Sequence, residues 1–224
     1  MPRRLLAVLA FLAILLPLGA RAQSEQQTLV DRATLAVQEM LGDGSPDDLH
    51  RLVRKARGAL ICPQVFKAGF FFGGEGGSCV MVGRLQSGWT SPAFYGMGSG
   101  SFGLQFGIQD AQVLLIVLTE KGLHALLDSQ FKFGANAGLA IATFGGGLQG
   151  STTAAFHADI VAFSSARGLF AGIALDGSLI GVRSSWNQAY YGHPIGAHAI
   201  VLQGEGSNPG AEPLREVLGR FSGG

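Results

Sequence analysis

Between Glu25 and Leu41 the apolar positions recur at helical spacing. Leu29, Ala33, Val37, Met40 and Leu41 fall on one face, and Gly42 supplies a stop. Asp43-Gly44 makes a turn. Ser45 has the chemistry of an N-cap, Pro46 suits the first helical position, and Asp47 and Asp48 suit the first turn. Leu49, Leu52, Val53 and Ala56 then repeat at i, i+3, i+4 and i+7. The pattern predicts two amphipathic helices, over 25–41 and 46–57.

After Gly58 the period changes. Short apolar runs alternate with glycine-rich turns: Ala59–Cys62, Lys67–Phe72, Cys79–Arg84, Ser101–Ile108 and Val113–Leu118. This is the pattern of antiparallel strands. A helical stretch at Glu120–Ser129 carries Leu123, Leu126 and Leu127. Strands resume at 131–143, 152–164, 167–175 and 177–184. The predicted class is α+β and β-rich. It is an antiparallel glycine-rich sheet, or a partly closed barrel, with N-terminal amphipathic helices packed on it. The chain holds 35 glycines, which suit tight turns, bulges and close strand approach. Residues 23–203 read as one domain. Residues 204–224 read as a Gly/Pro-rich tail leading to a short, frayed helix at 212–220.

The N-terminal pattern differs from both. Arg3 and Arg4 precede an apolar run from Leu5 to Leu18, broken only by Pro17, and Ala20-Arg21-Ala22 follows. That order reads as a secretory signal peptide cleaved after Ala22. The run is shorter than the roughly 20 residues a spanning helix needs. The expected location is therefore periplasmic or secreted. Without residues 1–22, 13 Lys+Arg face 15 Asp+Glu. A nucleic-acid binder with a basic footprint over the whole molecule is excluded by that balance. Attraction to an anionic surface would have to be local.

Such a local charge exists on the second helix. Arg51, Arg54, Lys55 and Arg57 fall within seven positions, and Lys67 follows. A basic amphipathic helix can lie on an anionic membrane surface. The bland alternative is that acids at a helix start and bases at its end simply complement the helix dipole.

Catalytic patterns are sparse. Gly73-Gly74-Glu75-Gly76-Gly77-Ser78 lacks the Gly-Lys-Ser/Thr ending of a phosphate loop and reads as a flexible hairpin. No Gly-x-Ser-x-Gly or His-Glu-x-x-His motif occurs. His157 and Asp159 would share one face of a strand, as half of an acid–base or metal site or as a polar strip. Neither a catalytic residue nor a metal or cofactor is predicted. Cys62 and Cys79 could pair in an oxidising compartment, or be two small buried side chains in neighbouring strands. With no His or Cys beside them, they do not suggest zinc.

Several longer signatures run in order along the chain. They are Gly58-Ala59-Leu60-Ile61-Cys62-Pro63, Lys67-Ala68-Gly69-Phe70-Phe71-Phe72-Gly73-Gly74 and Gly88-Trp89-Thr90-Ser91-Pro92-Ala93-Phe94-Tyr95. Gly103-Leu104-Gln105-Phe106-Gly107, Arg167-Gly168-Leu169-Phe170-Ala171-Gly172 and Asn187-Gln188-Ala189-Tyr190-Tyr191-Gly192 follow. In these the chain resembles the SYLF domain family. The resemblance implies a β-rich, non-enzymatic domain that binds lipid, with the membrane role carried by the 46–57 helix. The implied partner is an anionic phospholipid surface. Actin, bound by some eukaryotic relatives, is not expected to be met by an exported protein. The alternative is an envelope protein-interaction module using a sheet edge or the aromatic residues Trp89, Phe94, Tyr95 and Tyr191.

Overall fold

A computed structural model describes residues 19–42, 45, 47–69, 72–102, 107–128, 131–132, 138–143, 158–167 and 178–223. Helix α1 spans Gly19–Leu41. All five residues of its predicted apolar face are buried, together with Val30 and Ala36. Helix α2 spans Asp47–Lys55, with Leu49, Leu52 and Val53 buried.

The strands follow as β1 (Gly58–Gly69), β2 (Phe72–Leu85), β3 (Gly88–Trp89), β4 (Ala93–Phe102) and β5 (Gly107–Val117). Helix α3 (Glu120–Leu127) precedes β6 (Phe131–Lys132), β7 (Leu139–Thr143), β8 (Ile160–Arg167) and β9 (Leu179–Val182). Three helices close the chain: α4 (Ser184–Tyr191), α5 (Ala197–Gln203) and α6 (Glu212–Ser222). The sheet order is β6-β9-β4-β2-β1-β5-β8-β7, with β3 paired to β2. Every pairing is antiparallel except β7 with β8. The sheet curls into a half-barrel, so the predicted α+β, β-rich class holds.

Both faces of the sheet are covered over half its length, which is why β1 and β5 read as apolar runs rather than alternating strands. Ala59, Ile61, Val80, Val82, Phe94, Leu114 and Ile116 face one layer, built from α1, α2, α4 and α6. Leu60, Cys62, Met81, Tyr95, Val113 and Leu115 face the other, which includes α3 and α5. Helix α5 packs on β2 so closely that a Cβ on Gly83 would lie 2.1 Å from the Val201 carbonyl oxygen. A side chain there would force the two elements apart.

In β1 the register shifts between Ile61 and Gln64 against β2, and between Cys62 and Val65 against β5. Pro63, which has no N–H to give a ladder, sits in this bulge. Cys62 and Cys79 are bonded across it, with Cα atoms 4.2 Å apart.

Several elements differ from their predicted form. Gly73–Ser78 is an interior stretch of β2, paired on both sides, and not a hairpin. Ser101–Ile108 contains the end of β4 and the start of β5. Residues 184–191 and 197–203 are helices, where the sequence pattern predicts only a strand ending at Ser184. The C-terminal helix is anchored and not frayed: Leu214, Val217 and Leu218 are fully buried in the layer that holds α1 and α2. The stretch 168–177, expected to be strand, lies outside the described residues.

Candidate functional site

The second helix places its charges as its period demands. Leu49, Leu52 and Val53 have no exposure, while Arg51, Arg54 and Lys55 point outward. Arg57 is exposed just beyond the helix end. The four cations therefore line one rim, where α2 runs into β1. The apolar stripe is sealed in the core. Shallow insertion of these apolar residues into a bilayer, which an isolated amphipathic helix would achieve, is closed off in this fold.

Acidic neighbours temper the rim. Arg51 pairs with Asp48 one turn earlier. Arg57 pairs with Glu120 at 2.8 Å, with both side chains more than half exposed. An exposed pair of that kind contributes roughly 0.2–1 kcal/mol and is screened by salt. It can exchange for another anion at small cost. Asp47, Asp48, His50, Arg51 and Arg54 surround an open depression on this side of α2.

Arg84, on β2, fixes the rim in place and was not singled out from the sequence. Its guanidinium donates to the carbonyl oxygens of Arg54 (2.8 Å) and Val53 (3.4 Å), and to that of Ser222 (3.3 Å). It thus caps the C-terminal ends of α2 and α6 together, where orphan carbonyls and the negative end of each helix dipole favour a cation. It also lies over the Trp89 ring, 5.7 Å from its centroid. The Trp89 indole donates to Ser222 Oγ at 3.0 Å, and Arg215 Nε donates to the Trp89 carbonyl at 2.6 Å. A Cβ placed on Gly223 would sit 3.8 Å from Arg54 Cδ, so the end of α6 abuts the rim. Arg220 is exposed in that last turn, in a distant part of the chain. No sequence spacing could have linked the end of α6 to Arg54.

Lys67 does not join this group. It lies nine residues beyond Gly58 on β1, paired with Glu75 and Gln109. At about 3.3 Å per residue it is roughly 30 Å from the rim.

The other candidate residues take structural places. His157 lies outside the described residues. Asp159 joins three elements: it accepts from Thr119 Oγ1 at 2.7 Å, Gly138 N at 2.9 Å and Lys121 Nζ at 3.0 Å. The Thr119 bond, then the Gly138 amide and Lys121, hold its carboxyl at about 2. Thr119 in turn caps α3 through the Gly122 amide. Trp89, Phe94 and Tyr95, expected as an aromatic surface, are buried. Strand alternation turns Phe94 and Tyr95 into opposite core layers. Burial raises the Tyr95 and Tyr191 hydroxyls above their ordinary range, and the Tyr191 hydroxyl donates to the Pro92 carbonyl at 2.7 Å. No group of three or more metal-ligating side chains occurs among the described residues.

The family described as "Ysc84: Las17-binding protein actin regulator" matches residues 98–221. The SH3 domain-containing YSC84-like protein 1 of Bos taurus is 31% identical over 189 residues, covering 82% of this chain and 55% of that protein. The Homo sapiens protein of the same name is 30% identical with the same coverage. LAS seventeen-binding protein 3 of Saccharomyces cerevisiae (strain ATCC 204508 / S288c) is 29% identical over 171 residues, covering 75% of this chain and 37% of that protein. The chain thus spans about half the length or less of these relatives. Actin regulation and Las17 binding stand in the family description. They overturn the expectation that set actin aside, which had rested on the proposed export alone.

Proposed function

This chain belongs to the Ysc84 family, the SYLF family its residues resemble, and from that premise we propose that it is a non-enzymatic binding module for anionic membrane surfaces. One observation carries this reading. Arg51, Arg54, Lys55 and Arg57 stand outward along one rim, while the apolar side of the same helix is sealed in the core. The helix dipole accounts for bases in the last turn. It does not account for Arg57, which lies beyond the helix.

The contact is peripheral and electrostatic: the rim meets lipid headgroups without breaking the core. Each cation near such a surface contributes about 1 kcal/mol. The setting we propose is outside the cytoplasm. The order of residues 3–22 and the bonded Cys62–Cys79 pair support it.

Co-sedimentation with phosphatidylglycerol vesicles tests the reading. Replacing Arg51, Arg54, Lys55 and Arg57 by Ser weakens binding by about three orders of magnitude. Equal binding by the two proteins, or no binding by either, contradicts it. A second reading is favoured by the family's description: the same rim meets an acidic protein surface of the actin-regulatory kind. Co-sedimentation with actin filaments, without lipid, is the arm that would select it.

A further inference from the structure

The half of the sheet beyond α1 presents an unusual face. In β4, Gly96, Gly98 and Gly100 alternate with residues of the opposite core, so all three face the α1 side. Gly74 and Gly76 of β2 face the same way. Glycine weakens a strand interior, and where it recurs there it marks a bend, a bulge or the close approach of something else. None of the last four occupies a positive-φ conformation. Crowding does not demand them either. Among the described residues, a Cβ on Gly98 would meet only the Glu75 carbonyl at 3.7 Å. One on Gly76 would meet only that of Met97 at 3.8 Å, and one on Gly100 would meet nothing within 4 Å.

The surroundings of this floor are apolar. The pairings Leu179↔Gly98, Gly98↔Gly76 and Gly76↔Phe66 place four residues in one row across the sheet. Leu179 and Phe66 stand at its two ends, each 47% exposed, about 14 Å apart at three strand spacings. The third large exposed hydrophobic among the described residues is Leu35, at 62%. It lies on the α1 stripe between Arg32, which donates to Gln64, and Glu39, which accepts from Gln112. Both partners lie on this face of the sheet, on β1 and β5, so all three exposed hydrophobics border the same region.

Charge gives the floor a direction. Arg183 reaches over Gly96, where a Cβ would lie 3.3 Å from its Nε. It donates to Ser78 Oγ at 2.9 Å and stacks on Trp186 at 4.4 Å. Among the described residues no carboxylate pairs with it. Beyond Phe66, in the same row, lies the exposed carboxylate of Asp110. The cation and the anion thus mark different borders of the floor.

We infer that this glycine floor binds a single-chain anionic amphiphile. Its acyl chain lies on the glycines between Phe66 and Leu179, and its head group pairs with Arg183. Strand β2 is paired along both sides, and β4 is paired to β9 over Tyr95–Gly98, the stretch that carries Gly96 and Gly98, so an added peptide strand finds no free edge there. A thin chain without polar groups needs no partner from the floor, and only its head group requires a charge. The site is separate from the cationic rim and does not depend on it.

Titration of the purified protein with decanoate below its micellar concentration, followed by calorimetry, tests this. Gly98→Val and Gly100→Val place a β-branched side chain on the floor where, among the described residues, a Cβ meets at most one carbonyl at ordinary contact distance. Both should keep or raise the melting temperature while weakening decanoate at least tenfold. The rim variant with four serines should bind decanoate normally. Arg183→Gln should abolish the preference for decanoate over decyltrimethylammonium. Failure of the parent protein to bind decanoate overturns the proposal, as does undiminished binding by both valine variants. Lowered melting in both valine variants also overturns it, because the glycines would then serve folding.

Discussion

Arg84 and Asp159 do the same kind of work at one end of the sheet, three strands apart. Each is a single charged side chain that satisfies backbone or side-chain groups from elements far apart in sequence. Arg84→Met removes the donor shared by α2 and α6 and leaves carbonyl oxygens of Val53, Arg54 and Ser222 without it. Hydrogen bonds to charged groups contribute about 1.5–3 kcal/mol. Urea unfolding should therefore show a loss of about 2 kcal/mol for Arg84→Met, and Arg84→Lys should recover only part of it, because one ammonium cannot reproduce the fork. Asp159 has its carboxyl depressed to about 2 by Thr119, Gly138 and Lys121. A depressed folded value gives stability that is present above the unfolded value near 4 and is lost as pH falls through about 2. Asp159→Asn should lower stability at pH 7 by on the order of 1–2 kcal/mol. Thermal melts between pH 4 and pH 2 should then be flatter in the variant than in the parent protein. Neither residue advertises its role in the sequence, since the partners of each come from folding.

At the scale of elements, the disulfide and the helices show what a linear pattern can carry. The two N-terminal helices were legible because their apolar faces repeat at helical spacing with a stop at Gly42. Strands β1, β2 and β5 were legible as short apolar runs between glycine-rich turns, although not their ends. Helices α4 and α5 were not, for physical reasons. In α4, Ser184, Ser185 and Asn187 are weak helix formers, and Asn187 is spent on the Phe94 amide. In α5, Ile200 and Val201 mimic a strand, while Gly204 closes the helix in the left-handed conformation. The stretch at Gly73–Ser78 looked like a turn because glycine usually signals one, yet both neighbours in the sheet hold it extended. Cys62 and Cys79 close a loop with a sequence separation of 17. Cys62→Ala with Cys79→Ala should lower stability by about 3 kcal/mol, as expected for a loop of that size. Guanidinium unfolding under non-reducing conditions checks this. An unchanged midpoint would mean that the bridge constrains nothing.

The whole molecule sets these pieces in a sheet covered by helices on both faces at one end and glycine-floored at the other. The cationic rim belongs to the covered end. Part of it was legible, because Arg51, Arg54, Lys55 and Arg57 are close in sequence. The organising role of Arg84 was not, since its carbonyl partners come together only when α6 docks beside α2. Lys67 was placed with the rim by its nearness in sequence, but an extended strand carries it away. Burial of Leu49, Leu52 and Val53 also changes the mode of contact, from insertion to surface charge. A contact made only by charge is screened by salt, with a Debye length of about 10 Å at 0.1 M and about 3 Å at 1 M. The most direct test is to measure vesicle binding across that salt range, on phosphatidylglycerol and on phosphatidylcholine. Binding is expected on the anionic vesicles alone, lost as salt approaches 1 M. Binding that persists at 1 M salt, or is equal on neutral vesicles, would contradict it.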